Sequence, residues 1–182
     1  MEKITFITGN QSKADYLAKY LGFSVDHKKI DLDEIQSLDL KKIVEHKVRQ
    51  AYDLIKKPVI VEDVSLEFAA LGKLPGLFIK YFVEKVPFKT ICSMIDEKTR
   101  KATARCVFGY FDGKNLRMFE GKLDGKIALK PAGKNGYGWD KIFIPKGYAV
   151  TRALLSEEDD RRTYLKTKPF AKLKKFLLSK NI

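Results

Sequence analysis

The sequence predicts a single-domain α/β fold over residues 1–182, and three observations support this. A chain of 182 residues, 45% of them hydrophobic, can bury one sizeable core but is too short to predict two. Residues 4–7 form a short apolar run that leads through Thr8-Gly9-Asn10 into a helical pattern over residues 13–21. Residues 59–61 are a continuous β-branched run, which is typical of a strand covered on both faces.

Local patterns place the other elements in order. A strand is predicted over residues 23–29, and a helix over residues 40–55, where apolar residues repeat at helical spacing until Pro58. The strand at 59–61 ends at Glu62-Asp63, so two carboxylates are expected at its carboxyl end. The later elements are a turn-rich loop at 71–76, helices at 78–83 and 88–95, strands at 101–111 and 115–123 joined as a hairpin at Asp112-Gly113, a glycine-rich loop at 131–138, a strand at 139–144, a turn at 145–147 and an amphipathic helix at 166–180.

Composition limits the partners and the compartment. The net charge of +13 indicates a polyanionic partner, but the lysines are scattered along the chain, which argues against a nucleic-acid-binding arm. No apolar run is long enough to cross a bilayer, and the N-terminus has no cleavage-site pattern, so we expect a cytoplasmic protein that does not contact a membrane. Cys92 and Cys106 have no metal or disulfide motif and are predicted to be buried, reduced thiols.

The first chemical signal is the turn Thr8-Gly9-Asn10 with Lys13. A glycine lets the backbone approach a ligand closely, a helix N-terminus offers N–H groups to an anion, and Lys13 adds a positive charge. The turn is not a Walker loop, because it lacks the Gly-Lys-Ser/Thr ending. An ordinary strand-to-helix turn capped by Asn10 explains the same residues, so both interpretations stay open.

Carboxylates and aromatics give two further signals. Glu62 and Asp63 suit a metal-bridged phosphate site, although a helix cap and a solvated acid are an equally good interpretation. Glu34 is another acid in a carboxylate-rich loop. Residues 135–140 combine glycines with Tyr137 and an acid, as a base-stacking pocket does, but a turn with Trp139 in the core explains this stretch as well.

Together, these stretches resemble the inosine/xanthosine triphosphate pyrophosphatase family over nearly the whole chain. The resemblance implies an elongated mixed β-sheet flanked by helices, with two lobes and a central substrate cleft. It also implies a homodimer and hydrolysis of purine nucleoside triphosphates to monophosphate and pyrophosphate with Mg²⁺, Mn²⁺ being the alternative ion. The motifs that carry it are Thr8-Gly9-Asn10 with Lys13, residues 31–36, Val61-Glu62-Asp63 with Ser65-Leu66, residues 71–76 with Lys80, and Gly138-Trp139-Asp140.

The resemblance also implies roles for individual residues. Glu34 becomes a metal ligand, and Asp63 becomes a metal ligand or the general base that activates water. Glu62 stays without an assigned role. The residues expected to contact the substrate are Thr8, Gly9, Asn10, Lys13, Lys47, Val64, Lys80, Tyr137, Gly138, Trp139, Asp140, Arg161 and Lys166, with Lys13 also expected to assist catalysis.

The chain departs from the family pattern at two places. The family usually has Thr or Ser where this chain has Val64, which removes a hydroxyl contact. Near the C-terminus the family's Glu-Glu-Lys-Asn and Ser-His-Arg are replaced, so that Asp160 falls on the lysine and Tyr164-Leu165-Lys166 on Ser-His-Arg. Arg161 or Arg162 could restore the lost charge. Two other functions therefore stay open: a catalytically weak nucleotide-binding protein and a nucleic-acid-binding module.

Overall fold

The computed structural model describes residues 4–95 and 99–180, and these residues form two compact units. The first unit contains the chain up to Asp63, then Cys106–Glu120, and the chain from Pro169 onward. The second unit contains Val64–Arg105 and Gly121–Lys168. The chain thus passes repeatedly from one unit to the other.

The sheet has seven strands in the order β2-β1-β3-β5-β6-β7, with β4 paired to β3 in antiparallel fashion. Strand β1 is parallel to both β2 and β3, whereas β6 and β7 are antiparallel. This mixed sheet with flanking helices confirms the predicted fold class. The strands are β1 Thr5–Ile7, β2 Asp26–Lys28, β3 Val59–Phe68, β4 Pro75–Gly76, β5 Lys101–Phe111, β6 Leu116–Ile127 and β7 Phe143–Pro145; the helices are α1 Gln11–Leu21, α2 Leu40–Ile55, α3 Ile79–Lys85, α4 Phe88–Ser93, α5 Glu157–Thr167 and α6 Phe170–Ser179.

In the first unit, aromatic residues join the sheet to α6. The Phe108 ring lies 6.3 Å from Phe6 and 5.5 Å from Phe170, measured between ring centroids. Helix α2 packs directly on β5, because a Cβ at Gly109 would lie only 2.6 Å from a methyl group of Val44. The core of this unit therefore fixes the helix that carries Lys47.

In the second unit, one hydrophobic cluster joins β3, α3, α4 and the strands β5 to β7. Its members are Leu66, Phe68, Ile79, Ile91, Cys92, Ile95, Ala102, Ala104, Leu123, Ile127, Ile142 and Phe143. Cys92 and Cys106 are buried and form no disulfide, as predicted. Among the described residues, no helix is long and apolar enough to cross a membrane.

Three predicted elements are wrong in extent. Strand β3 does not end at Glu62-Asp63 but continues to Phe68, because Leu66 and Glu67 pair with β4. The strand predicted at 139–144 is instead a 3-10 turn, Gly138–Lys141, followed by β7, because Asp140 hydrogen-bonds back to the Tyr137 N–H. The helix predicted at 166–180 is two helices, because Pro169 keeps Lys168 in an extended conformation.

Candidate active site

The carboxyl end of β1 lies at a change of direction in the sheet, beside the middle of β3. The chain runs from β1 through α1 to β2 on one side, then returns through α2 to β3 on the other side. Because parallel crossovers are right-handed, α1 and α2 cover opposite faces. Ligands of open α/β sheets bind at such a switch point, outside the carboxyl ends of the strands. The turn Thr8-Gly9-Asn10 follows β1 at this position.

The turn after β1 is shaped by its own hydrogen bonds. The Thr8 N–H donates to the Lys28 carbonyl at 3.0 Å, and the Asn10 N–H donates to Thr8 Oγ1 at 3.1 Å. The Asn10 side chain accepts from the Lys13 N–H at 3.3 Å, so Asn10 caps α1. Since Thr8, Asn10 and Lys13 use their N–H groups within the protein, the N–H groups of Gly9, Gln11 and Ser12 are left to offer donors to an anion.

Glu62 and Asp63 are neighbours in β3, and they reach different helices. The one-to-one register of β1 with β3 pairs Phe6 with Ile60, which brings the end of β1 level with this pair. Successive side chains of a strand point to opposite faces. Glu62, whose side chain is only 4% exposed, therefore meets Lys13 of α1 at 3.6 Å. Asp63 meets Lys47 of α2 instead, at 2.7 Å.

Lys47 connects two of the predicted metal ligands. Its Nζ lies 2.5 Å from Glu34 Oε1 and 2.7 Å from Asp63 Oδ2. The loop that carries Glu34 is tied to α2 by a reciprocal pair, because the Asp33 N–H donates to Gln50 and the Gln50 amide donates to Asp33, both at 2.8 Å. The structure thus brings Glu34, Lys47 and Asp63 together.

Burial and charge shift both partners of the Lys47–Asp63 pair. Burial lowers the pKa of Lys47, but the charge of Asp63 and hydrogen bonds to both carboxylates outweigh it and raise the pKa above its ordinary value. For Asp63, burial is the largest influence and raises the pKa above its ordinary value, although Lys47 and Lys13 oppose the shift. Lys47 therefore stays charged, and Asp63 binds a proton more readily than a solvated aspartate does.

The residues around Lys47 fit a divalent ion that takes few ligands from the protein and most of them from water and substrate phosphates. No group of three or more His, Cys, Asp or Glu side chains that could hold a metal occurs in the described part of the chain. Glu34 and Asp63 supply two carboxylates that already converge on one cation. Mg²⁺ is typically bound by one or two carboxylates together with water and substrate phosphates, and this donor set has that composition.

The predicted base-binding stretch lies in the second unit. Tyr137 is 81% exposed, so its ring is accessible for stacking on a ligand. Trp139 packs against the core, with its ring 5.5 Å from that of Phe143 in an edge-on arrangement. Asp140 is buried and accepts from the Tyr137 N–H at 2.8 Å. Gly138 has a φ of 56°, which favours glycine in this turn.

The other predicted contacts of the second unit are mostly solvated cations. Lys80 lies near the start of α3 and is exposed, and its Nζ lies 5.7 Å from the centre of the Tyr81 ring. Arg161 and Lys166 are exposed on α5. Val64 is half-buried in the middle of β3 rather than in a loop.

Sequence reasoning missed two residues that shape these groups. Gln50 clamps the loop of Glu34, and Arg152 binds both Asp140 and Asp160 from a short 3-10 turn, Arg152–Leu154. Arg152 had no motif to mark it, since an arginine in a basic chain is expected to be solvated. The helical spacing of Gln50 and Lys47 on α2 was the one available signal for Gln50.

Comparison with known proteins identifies relatives over nearly the full length. The family model described as Ham1 family matches residues 4–176. "Inosine triphosphate pyrophosphatase 2" of Trypanosoma cruzi is 38% identical over 177 residues, covering 94% of this chain and 90% of the relative. "dITP/XTP pyrophosphatase" of Thermococcus kodakarensis is 34% identical over 164 residues, covering 88% of this chain and 89% of the relative. A HAM1 protein from Coxiella burnetii has the same fold, with a TM-score of 0.83, 23% identity, and coverage of 98% of this chain and 100% of that chain.

Proposed function

The chain belongs to the Ham1 family, and we propose that it hydrolyses purine nucleoside triphosphates such as those of inosine and xanthosine to monophosphate and pyrophosphate, with Mg²⁺. Membership makes the chain an enzyme, a hydrolase of nucleoside triphosphates. The base preference, the products and the metal are the parts that we propose. The observation that best supports the metal and the phosphate chemistry is the convergence of Glu34, Lys47 and Asp63 beside the switch point of the sheet. The base preference is proposed from the family resemblance.

We assign phosphate binding to the turn after β1 and to the lysines beside it. Gly9, Gln11 and Ser12 offer N–H groups, while Thr8 and Asn10 hold the turn in shape through the bonds described above. Lys13 and Lys47 stabilise the charge that develops on the leaving pyrophosphate. Both ammonium groups are held in place by carboxylates before substrate binds, which lowers the cost of ordering them.

We assign the role of general base to Asp63. A water molecule attacks the α-phosphorus, its proton passes to Asp63, and the bond from the α-phosphorus to the bridging oxygen breaks to release pyrophosphate. Burial suits Asp63 to this role because it raises the pKa of the carboxyl above its ordinary value, which strengthens it as a base. When bound at Glu34 and Asp63, Mg²⁺, or Mn²⁺ in its place, supplies Lewis-acid stabilisation of negative charge on the phosphate oxygens.

The remaining assignments follow the family resemblance. Tyr137 stacks on the base, while Gly138, Trp139 and Asp140 form the turn that holds base and sugar. Further substrate contacts are assigned to Val64, Lys80, Arg161 and Lys166. A homodimer and a cytoplasmic location are part of the proposal on the same ground.

The proposal is tested by measuring pyrophosphate release from inosine, xanthosine, guanosine and adenosine triphosphates, with Mg²⁺, with Mn²⁺ and with a chelator. We expect equal amounts of monophosphate and pyrophosphate, and loss of turnover with the chelator. Release of diphosphate and orthophosphate would reject the assigned reaction. Tight nucleotide binding without turnover under all three conditions would favour the catalytically weak nucleotide-binding protein instead.

A further inference from the structure

Arg152 is a buried cation that joins two acids in the second unit. Its side chain is 7% exposed, its Nη1 lies 3.3 Å from Asp140 Oδ1, and its Nε donates to Asp160 Oδ1 at 2.9 Å. The guanidinium also lies 5.5 Å from the centre of the Tyr164 ring. A buried arginine is tolerated when its charge is paired, and the planar fork of guanidinium lets one side chain serve two carboxylates.

Asp140 transmits the position of Arg152 to the turn that carries Tyr137. Its Oδ1 faces Arg152, and its Oδ2 accepts from the Tyr137 N–H at 2.8 Å. Gly136 leaves room for this carboxylate, because a Cβ there would lie 2.5 Å from Asp140 Oδ2. Both oxygens of Asp140 are thus engaged within the protein, and the carboxylate acts as a strut rather than as an exposed ligand.

The turn that carries Arg152 is itself fixed against the glycine-rich loop. Thr151 Oγ1 donates to the Ala132 carbonyl at 2.8 Å. A Cβ at Gly133 would lie 2.5 Å from the Ala153 carbonyl oxygen, so the two backbones are in close contact at that point. Arg152 is therefore held on both sides by anchored neighbours, and its guanidinium is ordered before any ligand arrives.

Arg152 also contacts two residues of α5, Asp160 and Tyr164. The Arg152 Nε donates to Asp160, and the Tyr164 ring lies beside the guanidinium. Lys168 adds a second cation, 5.8 Å from the centre of the Tyr164 ring. Burial raises the pKa of Asp140, and Arg152 is the strongest influence that opposes this.

We propose that Arg152 is a positioning residue for the nucleotide base, because it holds Asp140 and thereby the Tyr137–Gly138 turn. This inference rests on the proposed base-binding role of Tyr137. Asp160 of α5 forms a second ion pair with Arg152 and so helps to neutralise its charge. Arg152 acts through Asp140, so it alters how well any purine is held rather than which purine is preferred.

The test compares Arg152→Met with Arg152→Lys. We expect Arg152→Met to raise KM for inosine and adenosine triphosphates alike, by about tenfold, with kcat changed less than about twofold. Arg152→Lys keeps the charge but not the fork, so its KM should fall between those of the natural protein and Arg152→Met. Trp139, the one tryptophan of the chain, reports the turn directly. Acrylamide should quench the Trp139 fluorescence more strongly in Arg152→Met than in the natural protein.

Arg100→Met is the matched control. Arg100 is also a partly buried arginine of the second unit, but it donates to the backbone carbonyls of Cys92, Ile95, Ile127 and Ala128 and does not contact Asp140. We expect Arg100→Met to lower stability without changing KM or the quenching of Trp139. Equal KM changes in Arg100→Met and Arg152→Met would overturn the inference, because they would show a general loss of structure.

A variant of Tyr137 separates this inference from the proposed function. If Tyr137→Ala leaves KM unchanged, the base-binding role itself fails. If Tyr137→Ala raises KM but both Arg152 variants leave it unchanged, only the positioning role fails. Should Arg152→Met not fold, Arg152→Lys and Asp160→Asn decide the question by the same KM and quenching measurements, and natural values in both would reject the inference.

Discussion

Replacing Asp63 by asparagine should separate the chemistry of the site from the stability of the fold. The Asp63 side chain is 22% exposed and accepts from Lys47 at 2.7 Å. An asparagine Oδ1 can still accept from Lys47, so the hydrogen bond survives while the proton acceptor and the metal ligand are lost. We expect turnover to fall at least about a hundredfold, or about 2.7 kcal/mol in activation free energy.

The effect of Asp63→Asn on stability follows from the sign of the pKa shift. Burial raises the pKa of Asp63 above its unfolded value, so the folded protein binds this proton more tightly than the unfolded chain does. The contribution of Asp63 to the free energy of unfolding therefore increases as the pH falls through the folded pKa, and it is smallest at neutral pH. Asparagine removes this dependence. We expect the free energy of unfolding at pH 7 to change by no more than about 1 kcal/mol.

The assay pairs pyrophosphate release with urea denaturation at pH 7. Asp53→Asn is the control, because Asp53 is an exposed acid of α2 that pairs with Lys56, the C-cap residue of that helix, and the change should leave both quantities unaltered. Near-normal turnover in Asp63→Asn would remove Asp63 from the mechanism. A loss of stability of several kcal/mol would show instead that the ionised carboxylate holds the fold together.

Three further predictions concern the hairpin turn, the Glu34 loop and α5. Although burial raises the pKa of Asp112, hydrogen bonds led by the Asn115 N–H lower it to about 2, so Asp112→Asn should cost about 1 kcal/mol at pH 7. That difference should persist above the unfolded pKa and vanish as the pH falls to about 2, measured by urea denaturation; a constant difference would contradict it. Gln50→Ala removes the hydrogen bonds that hold the Glu34 loop and should raise the Mg²⁺ concentration for half-maximal turnover about threefold or more. An unchanged Mg²⁺ concentration would contradict a role of Gln50 in placing Glu34. Leu165 cannot donate a hydrogen bond and Lys166 lacks the fork of arginine, so the natural protein should accept a broad range of purines, and Leu165→His with Lys166→Arg should sharpen its preference in kcat/KM; a natural preference for inosine over adenosine triphosphate of several orders of magnitude would refute this.

Local signals predicted most of the first unit. Pro58, the helical spacing over 40–55 and the glycine turn after β1 each act within a few residues, and α2 has the bounds that the pattern indicates. Asn10 confirms the capping interpretation, although the cap does not exclude an anion at the same helix end.

Long-range pairing explains the errors. Strand β3 continues beyond Asp63 because Leu66 and Glu67 pair with β4, eight or more residues further along the chain. No local pattern at 62–64 predicts that pairing. Asp140 turns the chain at 137–141 through one side-chain hydrogen bond, which outweighs the strand propensity of the apolar residues that follow.

The acids and lysines of the site were visible as residue types, but their pairing was not. The sequence places Glu34, Lys47 and Asp63 in three separate segments, and only the crossover of α2 brings the two carboxylates to Lys47. The role of Arg152 could not be predicted for the same reason, because its partners Asp140 and Asp160 belong to two other segments of the chain.

The central claim is that water attacks the α-phosphorus of a purine nucleoside triphosphate, and oxygen labelling tests it most directly. Inosine triphosphate is hydrolysed in water enriched in ¹⁸O with Mg²⁺, and the products are separated and weighed by mass spectrometry. We predict one ¹⁸O atom in the monophosphate and none in the pyrophosphate. Label in the pyrophosphate would place the attack on the β-phosphorus, and label in orthophosphate would show cleavage of the terminal phosphate; either result would contradict the account.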